Sequence, residues 1–511
     1  MGKPNALIGL SGGPHAVIHN SMRGAVTKLM DSIEVGRVFA QRYGVLGALR
    51  EELLDVTAQK PNEIALLEVT PSAGVPGSCR YKLPKVDEAT LLEKVAGVDI
   101  GSVSISSLDA KVQDYVRLLQ VCKAHNIGYF FYAGGNDSMD TAYKLNKVAE
   151  ALNFPLQCIG VPKTIDNDVG DEDRKIVDHT PGYGCTATFW RDVIQSANME
   201  NFASCTSDPV LALQVMGRKV GYLPAAARLA DPKREMPLVL ILTEMLENEI
   251  KIPNDANETR IREIQEKNIG IAQRNYKFIE GQVAKRLKEH GRAIVVMSEG
   301  TYLGELGFAQ DSFGHAGYST GMPVAAKLAM YLNGKDGLLK KMGVPGNARA
   351  DIPGTIQRHA IAIPSTQDLL EAFASGAYAA KLALNGESGY MATILRSGNG
   401  NRYKPIYDKA TLIDVATHDR KFPGSWVDKG NADVSDEFVR YAVGLVRPGT
   451  IVNDTFSSVG KWRQALESAR SRSENCVILP FIGGLRRFAQ FDYSKMADQK
   501  LRNYTPVKLR A

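Results

Sequence analysis

The sequence predicts an α/β fold built from two doubly wound, largely parallel-sheet (Rossmann-like) domains with a cleft between them, followed by a C-terminal extension. Three observations predict it. Short apolar, β-branched runs repeatedly lead into glycine-rich turns and then into helical periodicity. This strand–turn–helix alternation recurs often enough along the chain to build two sheets. The chain of 511 residues is also longer than one ordinary core organises.

Taken in order, Asn5–Leu10 (NALIGL) reads as a strand that meets SGGP at 11–14, with a helix over 16–30. GYFFYA at 128–133 meets GGNDS, then a helix through about 152. LQCIG at 156–160 is the strand before VPKTIDNDV. Val210–Val215 (VLALQV) meets Met216–Gly217–Arg218, with a helix through 230. PLVLILT at 237–243 precedes a long amphipathic, charged stretch over 256–290, and RAIVVM at 292–297 follows it. Helical periodicity returns over 321–332 and 366–384. In such sheets ligands bind at the carboxyl ends of strands, where the glycine-rich turns sit, so separate loops become one candidate cleft. From about 448 the composition turns basic, and the stretch reads as an appended module or insertion of unclear role.

Composition sets limits. No uninterrupted apolar run is long enough to span a bilayer. The N-terminus shows no signal-peptide pattern, and Ala6 stands where myristoylation wants serine or threonine. The six cysteines, at 79, 122, 158, 185, 205 and 476, form no C-x-x-C pair and no cluster with histidine. That argues against a disulfide framework and a zinc site and points to a reducing cytoplasm. The net charge of +6 suits an enzyme of phosphorylated anions, with no motif for nucleic acid. Neither the P-loop pattern nor the protein-kinase set occurs.

The strongest chemical signal is VPKTIDNDV at 161–169, where Asp166 and Asp168 flank Asn167. In an extended loop, residues two apart project to the same side, so both carboxylates can face one substrate. One can take a proton from a hydroxyl nucleophile while the other holds a metal or screens the first; D-N-D also occurs in solvated turns. Gly134–Gly135–Asn136–Asp137–Ser138 offers backbone N–H groups and a helix N-terminus to an anion, or Ser138 is a plain N-cap. Gly12 and Gly13 in SGGP form a second possible phosphate nest. Residues 9–13 also match G-x-S-x-G, but a hydrolase elbow needs its strand in mid-sheet, and few residues precede Ser11. Arg218 in MGR and Arg358 in Ile356–Gln357–Arg358 suit bidentate phosphate contacts, or surface ion pairs. Glu244 could bond sugar hydroxyls or mark a strand terminus.

In this order and spacing, GGNDS, PKTIDND, HTPGYG at 179–184, MGR, the strand-end glutamate and QR resemble the phosphofructokinase family, from about residue 5 to 445. Members that use ATP carry glycine in the second-last place of the GGDGS loop and before TIDND; this chain has Asp137 and Lys163, which resembles the pyrophosphate-dependent branch. An aspartate there puts negative charge where the α-phosphate of ATP would lie, a repulsion on the order of several kcal/mol when partly desolvated.

The resemblance implies the rest. Asp166 takes the proton from the 1-hydroxyl of fructose 6-phosphate as it attacks pyrophosphate, reversibly, and Asp168 assists. Pyrophosphate is held by Gly12, Gly13, Arg80, Gly135, Asp137, Ser138 and Lys163, with Arg218 and Lys163 counted among the catalytic groups. The sugar phosphate is held by Thr164, Asp166, Met216, Gly217, Arg218, Glu244 and Arg358. Mg²⁺ is the cofactor, with Asn136, Asp137 and Asp168 as its ligands. A donor domain over 1–178, completed near 358–420, and a sugar-phosphate domain over 179–357 precede the extension at 446–511. The implied protein is a cytoplasmic homodimer or homotetramer without nucleic-acid or membrane partners. Departures from the family pattern include Asn136 for an aspartate, histidines at 15 and 19, no proline before Glu244, and Thr355 for a histidine. They leave sedoheptulose 7-phosphate open as the sugar. An ATP-dependent kinase and a regulatory subunit without turnover are the competing readings.

Overall fold

The computed structural model describes residues 2–68, 75–304, 322–360 and 364–446. The extension expected at 446–511 lies, from residue 447 on, outside the described residues. Two sheets organise the rest. The strands of the first are β1 (Asn5–Leu10), β2 (Val38–Gln41), β3 (Leu53–Asp55), β4 (Ile127–Gly134) and β5 (Gln157–Pro162). The second contains β6 (Val210–Val215), β7 (Leu238–Ile241), β8 (Ala293–Ser298) and β9 (Ala348–Asp351). The chain then returns to the first with β10 (Tyr390–Ser397) and β11 (Lys404–Thr411), so its order is β11-β10-β5-β4-β1-β2-β3. The second sheet runs β7-β8-β6-β9, parallel throughout.

The expected fold class is what the chain adopts, with two antiparallel edges that the sequence reading lacked: β2 with β3, and β10 with β11. Strands of three and four residues are too short to show periodicity, and β11 is an exposed edge whose side chains carry little apolar pattern. The central strands explain themselves. Successive residues of β1 enter opposite cores, Leu7 on one face and Ala6 and Ile8 on the other. A strand buried on both faces reads as continuous apolar sequence, as IGYFFYAG does. The helix expected through residue 230 is instead a short helix, Tyr222–Ala226, continued by a 3₁₀ turn, Ala227–Ala230. No helix among the described residues is long and apolar enough to cross a membrane.

Register decides where the loops emerge. Leu10 lies beside Ala133, and Ala133 beside Val161, so SGGP, GNDS and KTIDND leave one edge of the first sheet together. In the second, Val215 lies beside Ser298, which brings Met216–Arg218 and Glu299 to a shared edge.

Behind SGGP, the helix Ile18–Met30 crosses the helix Thr366–Leu384 at a paired glycine contact. A β-carbon on Gly24 would overlap the Phe373 carbonyl, and one on Gly376 would overlap the Ser21 carbonyl. Backbone cannot move aside as a flexible side chain can, so Gly376→Ala is expected to destabilise the protein by about 1–3 kcal/mol. A urea midpoint unchanged from the parent refutes that.

Candidate active site

SGGP folds back so that the Gly12 N–H donates to the Cys79 carbonyl at 2.9 Å, which fixes the left-handed turn at Gly12 (φ +76°). A β-carbon at Gly12 would lie 3.2 Å from Lys163 Nζ, and one at Gly13 would run into the Arg358 guanidinium. Both glycines are therefore the floor of a cationic recess. Lys163, 7% exposed, donates through Nζ to the Ser11 carbonyl at 3.2 Å. Burial first, then Arg358 and Arg80, pulls its ammonium down to about 7, against the pull of Asp166 and Asp168. Strand β1 does lie inside the sheet, contrary to the ground given against a hydrolase elbow. However, Ser11 is followed by six residues of loop before the helix begins, not by the immediate strand-to-helix turn an elbow requires.

The aspartate loop is a turn rather than an extended segment. Asn167 is left-handed (φ +59°) and fully buried, so the turn at the middle residue, not the pleat, carries the chain from one carboxylate to the other. The Asn167 side chain accepts from the Thr180 N–H at 3.2 Å and donates to Tyr441 Oη at 3.0 Å. Thr164 Oγ1 accepts from the Asp166 N–H at 3.1 Å and donates to Asp168 Oδ1 at 3.2 Å. Burial and then Asp168 push the Asp166 carboxyl up to about 7, while Arg218, Lys163 and Arg358 oppose the shift. Burial and then Asp419 raise Asp168 as well. Arg218 follows β6 of the second sheet and Lys163 follows β5 of the first, so Asp166 answers to cations from both.

Gly135, not Ser138, is the N-cap of the helix Asn136–Ala151; Ser138 is its third residue, with its hydroxyl packed against Gly134. Asp137 faces outward in an ion pair with Lys82 at 2.8 Å. Asn136 Nδ2 donates to Asp419 Oδ1 at 2.5 Å, and the other oxygen of Asp419 pairs with Lys219. Asn136 Oδ1 is buried with no hydrogen-bond partner.

On the second sheet, Gln357 Oε1 accepts from the Met216 N–H and from Trp190 Nε1, both at 2.8 Å. This ties the MGR turn to the segment that carries Arg358. Glu244 stands three residues beyond the end of β7 and accepts from the Gly221 N–H at 3.0 Å, which anchors the turn after Gly217. Glu299, directly after β8 and 7% exposed, is raised to about 7 by burial and then by Asp166, against Arg218, Arg358 and Arg80.

The sequence model of the family described as phosphofructokinase matches residues 5–383, well over half of the chain. The chain belongs to the phosphofructokinase family. Among curated relatives, it is 32% identical to the pyrophosphate–fructose 6-phosphate 1-phosphotransferase of Methylococcus capsulatus, over 87% of this chain and 92% of that one. The same-named protein of Xanthomonas campestris is also 32% identical, over 87% and 91%. Among solved structures, the pyrophosphate-dependent phosphofructokinase of Nitrosospira multiformis superposes with a TM-score of 0.67 at 28% identity, covering 89% of this chain and 95% of that one.

Within this phosphofructokinase the loops bring Gly12, Gly13, Lys163, Asp166, Arg218 and Arg358 together, with Arg80 near enough to shift Lys163, Arg358 and Glu299. Asp137 pairs with Lys82, and Glu244 holds a backbone turn. Glu299 and Asp419 were missed by the sequence reading. The cue that singles out Glu244, an acid at a strand end, fits Glu299 more closely, since Glu299 follows its strand directly whereas Glu244 stands three residues beyond its own. Asp419 has no such cue. Histidines 15 and 19 both accept backbone N–H groups, from Val17 and Val75.

The HTPGYG segment is anchored by a buried imidazole. His179 sits between Asp178 and Glu371, at 2.8 and 2.7 Å, and Tyr403 Oη donates to Glu371 at 2.5 Å. Burial alone depresses the His179 pKa, but Glu371 and Asp178 outweigh it and raise it to about 9. A raised histidine contributes stability that is complete below its unfolded value near 6.5 and is lost as pH rises through the folded value. Urea stability is therefore expected to fall between about pH 7 and 9, and His179→Gln should flatten that limb; an unaltered limb refutes the assignment.

Proposed function

We propose that this phosphofructokinase is a reversible pyrophosphate:fructose-6-phosphate 1-phosphotransferase. The observation that carries the mechanism is Asp166: a buried carboxyl, raised to about 7, acted on by Lys163 from the first sheet and by Arg218 and Arg358 from the second. A base poised near neutrality suits removal of a proton from a sugar hydroxyl. Asp166 takes that proton as the 1-oxygen bonds to the near phosphorus of pyrophosphate. The bond to the second phosphate breaks, and that phosphate leaves with the electron pair. Lys163, the Gly12–Gly13 backbone and Arg80 stabilise the charge in transit, with Gly135 and Ser138 at the donor end. Arg358, placed against Gly13 and near Asp166, is read as gripping the transferred group as much as the sugar phosphate. Arg218, Met216, Gly217, Thr164 and Glu299 enclose the sugar, and Glu244 supports their turn.

A divalent metal, Mg²⁺ in this reading, fits the residues present. The partnerless buried oxygen of Asn136 and the carboxylates of Asp168 and Asp419 form an oxygen-rich donor set. Mg²⁺ takes one or two carboxylates and completes its shell with water and phosphate oxygens. Bound, it would neutralise charge on the pyrophosphate. Asp137, paired with Lys82, is read as excluding a nucleotide rather than as a ligand. The donor is assigned to the unit over 1–178 and 358–420, and the sugar to 179–357. The free cysteines among the described residues accord with a cytoplasmic setting, and a homodimer or homotetramer is testable by light scattering.

The test is fructose 1,6-bisphosphate formation with Mg²⁺, pyrophosphate against ATP, with Asp166→Ala as control. Turnover with pyrophosphate alone, lost in the control, is expected. Equal turnover with ATP overturns the donor, and no turnover with either donor favours a sugar-phosphate-binding subunit.

A further inference from the structure

We infer that Arg420 is a positioning residue for the aspartate loop, setting the turn that aims Asp166 and Asp168. The inference rests on the reading of Asp166 as the base. Arg420 lies about 250 residues beyond the loop, in the segment after β11, and is fully buried. Its Nε donates to the Asn167 carbonyl at 2.8 Å, and Nη2 donates to the same carbonyl at 2.6 Å and to Asn167 Oδ1 at 2.5 Å. Its Nη1 donates to the carbonyls of Val177 and Asp178, at 2.7 and 2.5 Å, and its own N–H donates to the Asp168 carbonyl at 2.8 Å.

No ion pair to Arg420 within 4 Å occurs among the described residues, so all five of these side-chain bonds go to neutral oxygens. A buried guanidinium without a carboxylate partner is costly unless its donors are fully used. Here they are used on one object, the turn from Asn167 to Asp178. The planar fork matters, because a lysine ammonium has no second arm to reach Val177 while holding Asn167.

Asn167 shows what the fork does. A non-glycine residue at φ +59° is uncommon, though asparagine tolerates it best. Its carbonyl accepts from both Nε and Nη2 of Arg420, and its side-chain oxygen accepts from Nη2 as well. Tyr441 completes the grip from a second element, bonding Asn167 Nδ2 and the Asp178 carbonyl. Segments near the end of the described chain thus hold the turn that carries the aspartates, while the Arg420 side chain spends its five bonds on the oxygens of Asn167, Val177 and Asp178 and none on either carboxylate.

The experiment compares Arg420→Lys with the parent in kcat, both KM values, pyrophosphate binding stoichiometry by calorimetry, and thermal unfolding. A misaimed base slows the chemical step while leaving ground-state contacts in place, and a displacement of about 1 Å can cost 10²-fold. Expected are a kcat per binding-competent site lower by about 10²-fold and both KM values within threefold. A purely structural role lowers the competent fraction with kcat per site unchanged; that result, or a rise in KM alone, overturns the inference. If Arg420→Lys does not fold, Asn167→Gly decides. It keeps the left-handed turn and removes the side-chain grip, and it is expected to show the same split; parental kcat per site in that variant overturns the inference. Parent protein that turns over pyrophosphate while the variants show no split sinks this inference alone, and a parent without turnover sinks both readings.

Discussion

Asp166→Asn is expected to lower kcat for sugar phosphorylation by about 10²–10⁴-fold with little change in the KM for pyrophosphate. The amide keeps the size and most of the hydrogen bonding of the carboxylate but cannot accept the proton. By microscopic reversibility the same loss applies to the reverse reaction, phosphorolysis of the bisphosphate. The pH dependence follows from two groups moved toward each other. Asp166 is raised to about 7 by burial and Asp168, and must be ionised to act. Lys163 is lowered to about 7 by burial and its arginine neighbours, and must be protonated to hold the donor. Hence kcat/KM should trace a narrow bell near pH 7, whose limbs belong to the coupled set rather than to single residues. Bound pyrophosphate adds negative charge beside Lys163, so the alkaline limb should move upward in kcat. Steady-state rates from pH 5 to 9 check both parts. A flat profile, or Asp166→Asn within tenfold of the parent, removes Asp166 as the base.

Lys163→Met is expected to be the second largest loss, about 10²–10³-fold in kcat with pyrophosphate, the magnitude for removing one preorganised donor from a developing anion. Methionine fills the space of the stem, so the cationic recess above Gly12 loses its charge rather than its packing. The ammonium is held by the Ser11 carbonyl and faces both aspartates, which fixes it at the junction of donor and base. Binding of methylenediphosphonate, which has no cleavable bridge, separates ground-state grip from rate: weaker binding should account for only part of the loss. Retention of kcat within fivefold excludes Lys163 from the transferring charge.

Much of the site was legible because its chemistry is contiguous. GGNDS, TIDND and MGR each follow a buried strand, and a parallel sheet delivers such loops to one edge whatever their distance in sequence, the first two from the first sheet and MGR from the second. The conformation inside those loops was not legible. Asp166 and Asp168 looked like an i, i+2 pair on an extended segment, yet Asn167 turns left-handed because Arg420, Thr180 and Tyr441 hold it there. That choice is made by residues up to 274 positions away, which leave no local periodicity or turn signature. Asp419 was hidden for the same reason. The hairpin of β10 and β11 escaped notice because an exposed edge strand lacks the apolar run that marks β4. Ser138 misled in the opposite sense: its residue type suits a cap, but Gly135 already holds that position.

The return of the chain to its first sheet has a consequence for how the protein comes off the ribosome. When β5 has emerged, the donor loops exist, but the sheet face bearing Ala6, Ile8, Phe131 and Ala133 still lacks the helix Thr366–Leu384 that covers it. The free edge of β5 waits for β10 as well. Roughly 220 residues separate β5 from the end of that helix. At about 5–20 residues per second they take roughly ten to forty-five seconds to make. The second sheet, contiguous in the chain, can close during that interval. The half that holds the reactive phosphate recess is thus begun first and finished last, with an apolar face and an open strand edge exposed to chaperones and to other nascent chains meanwhile.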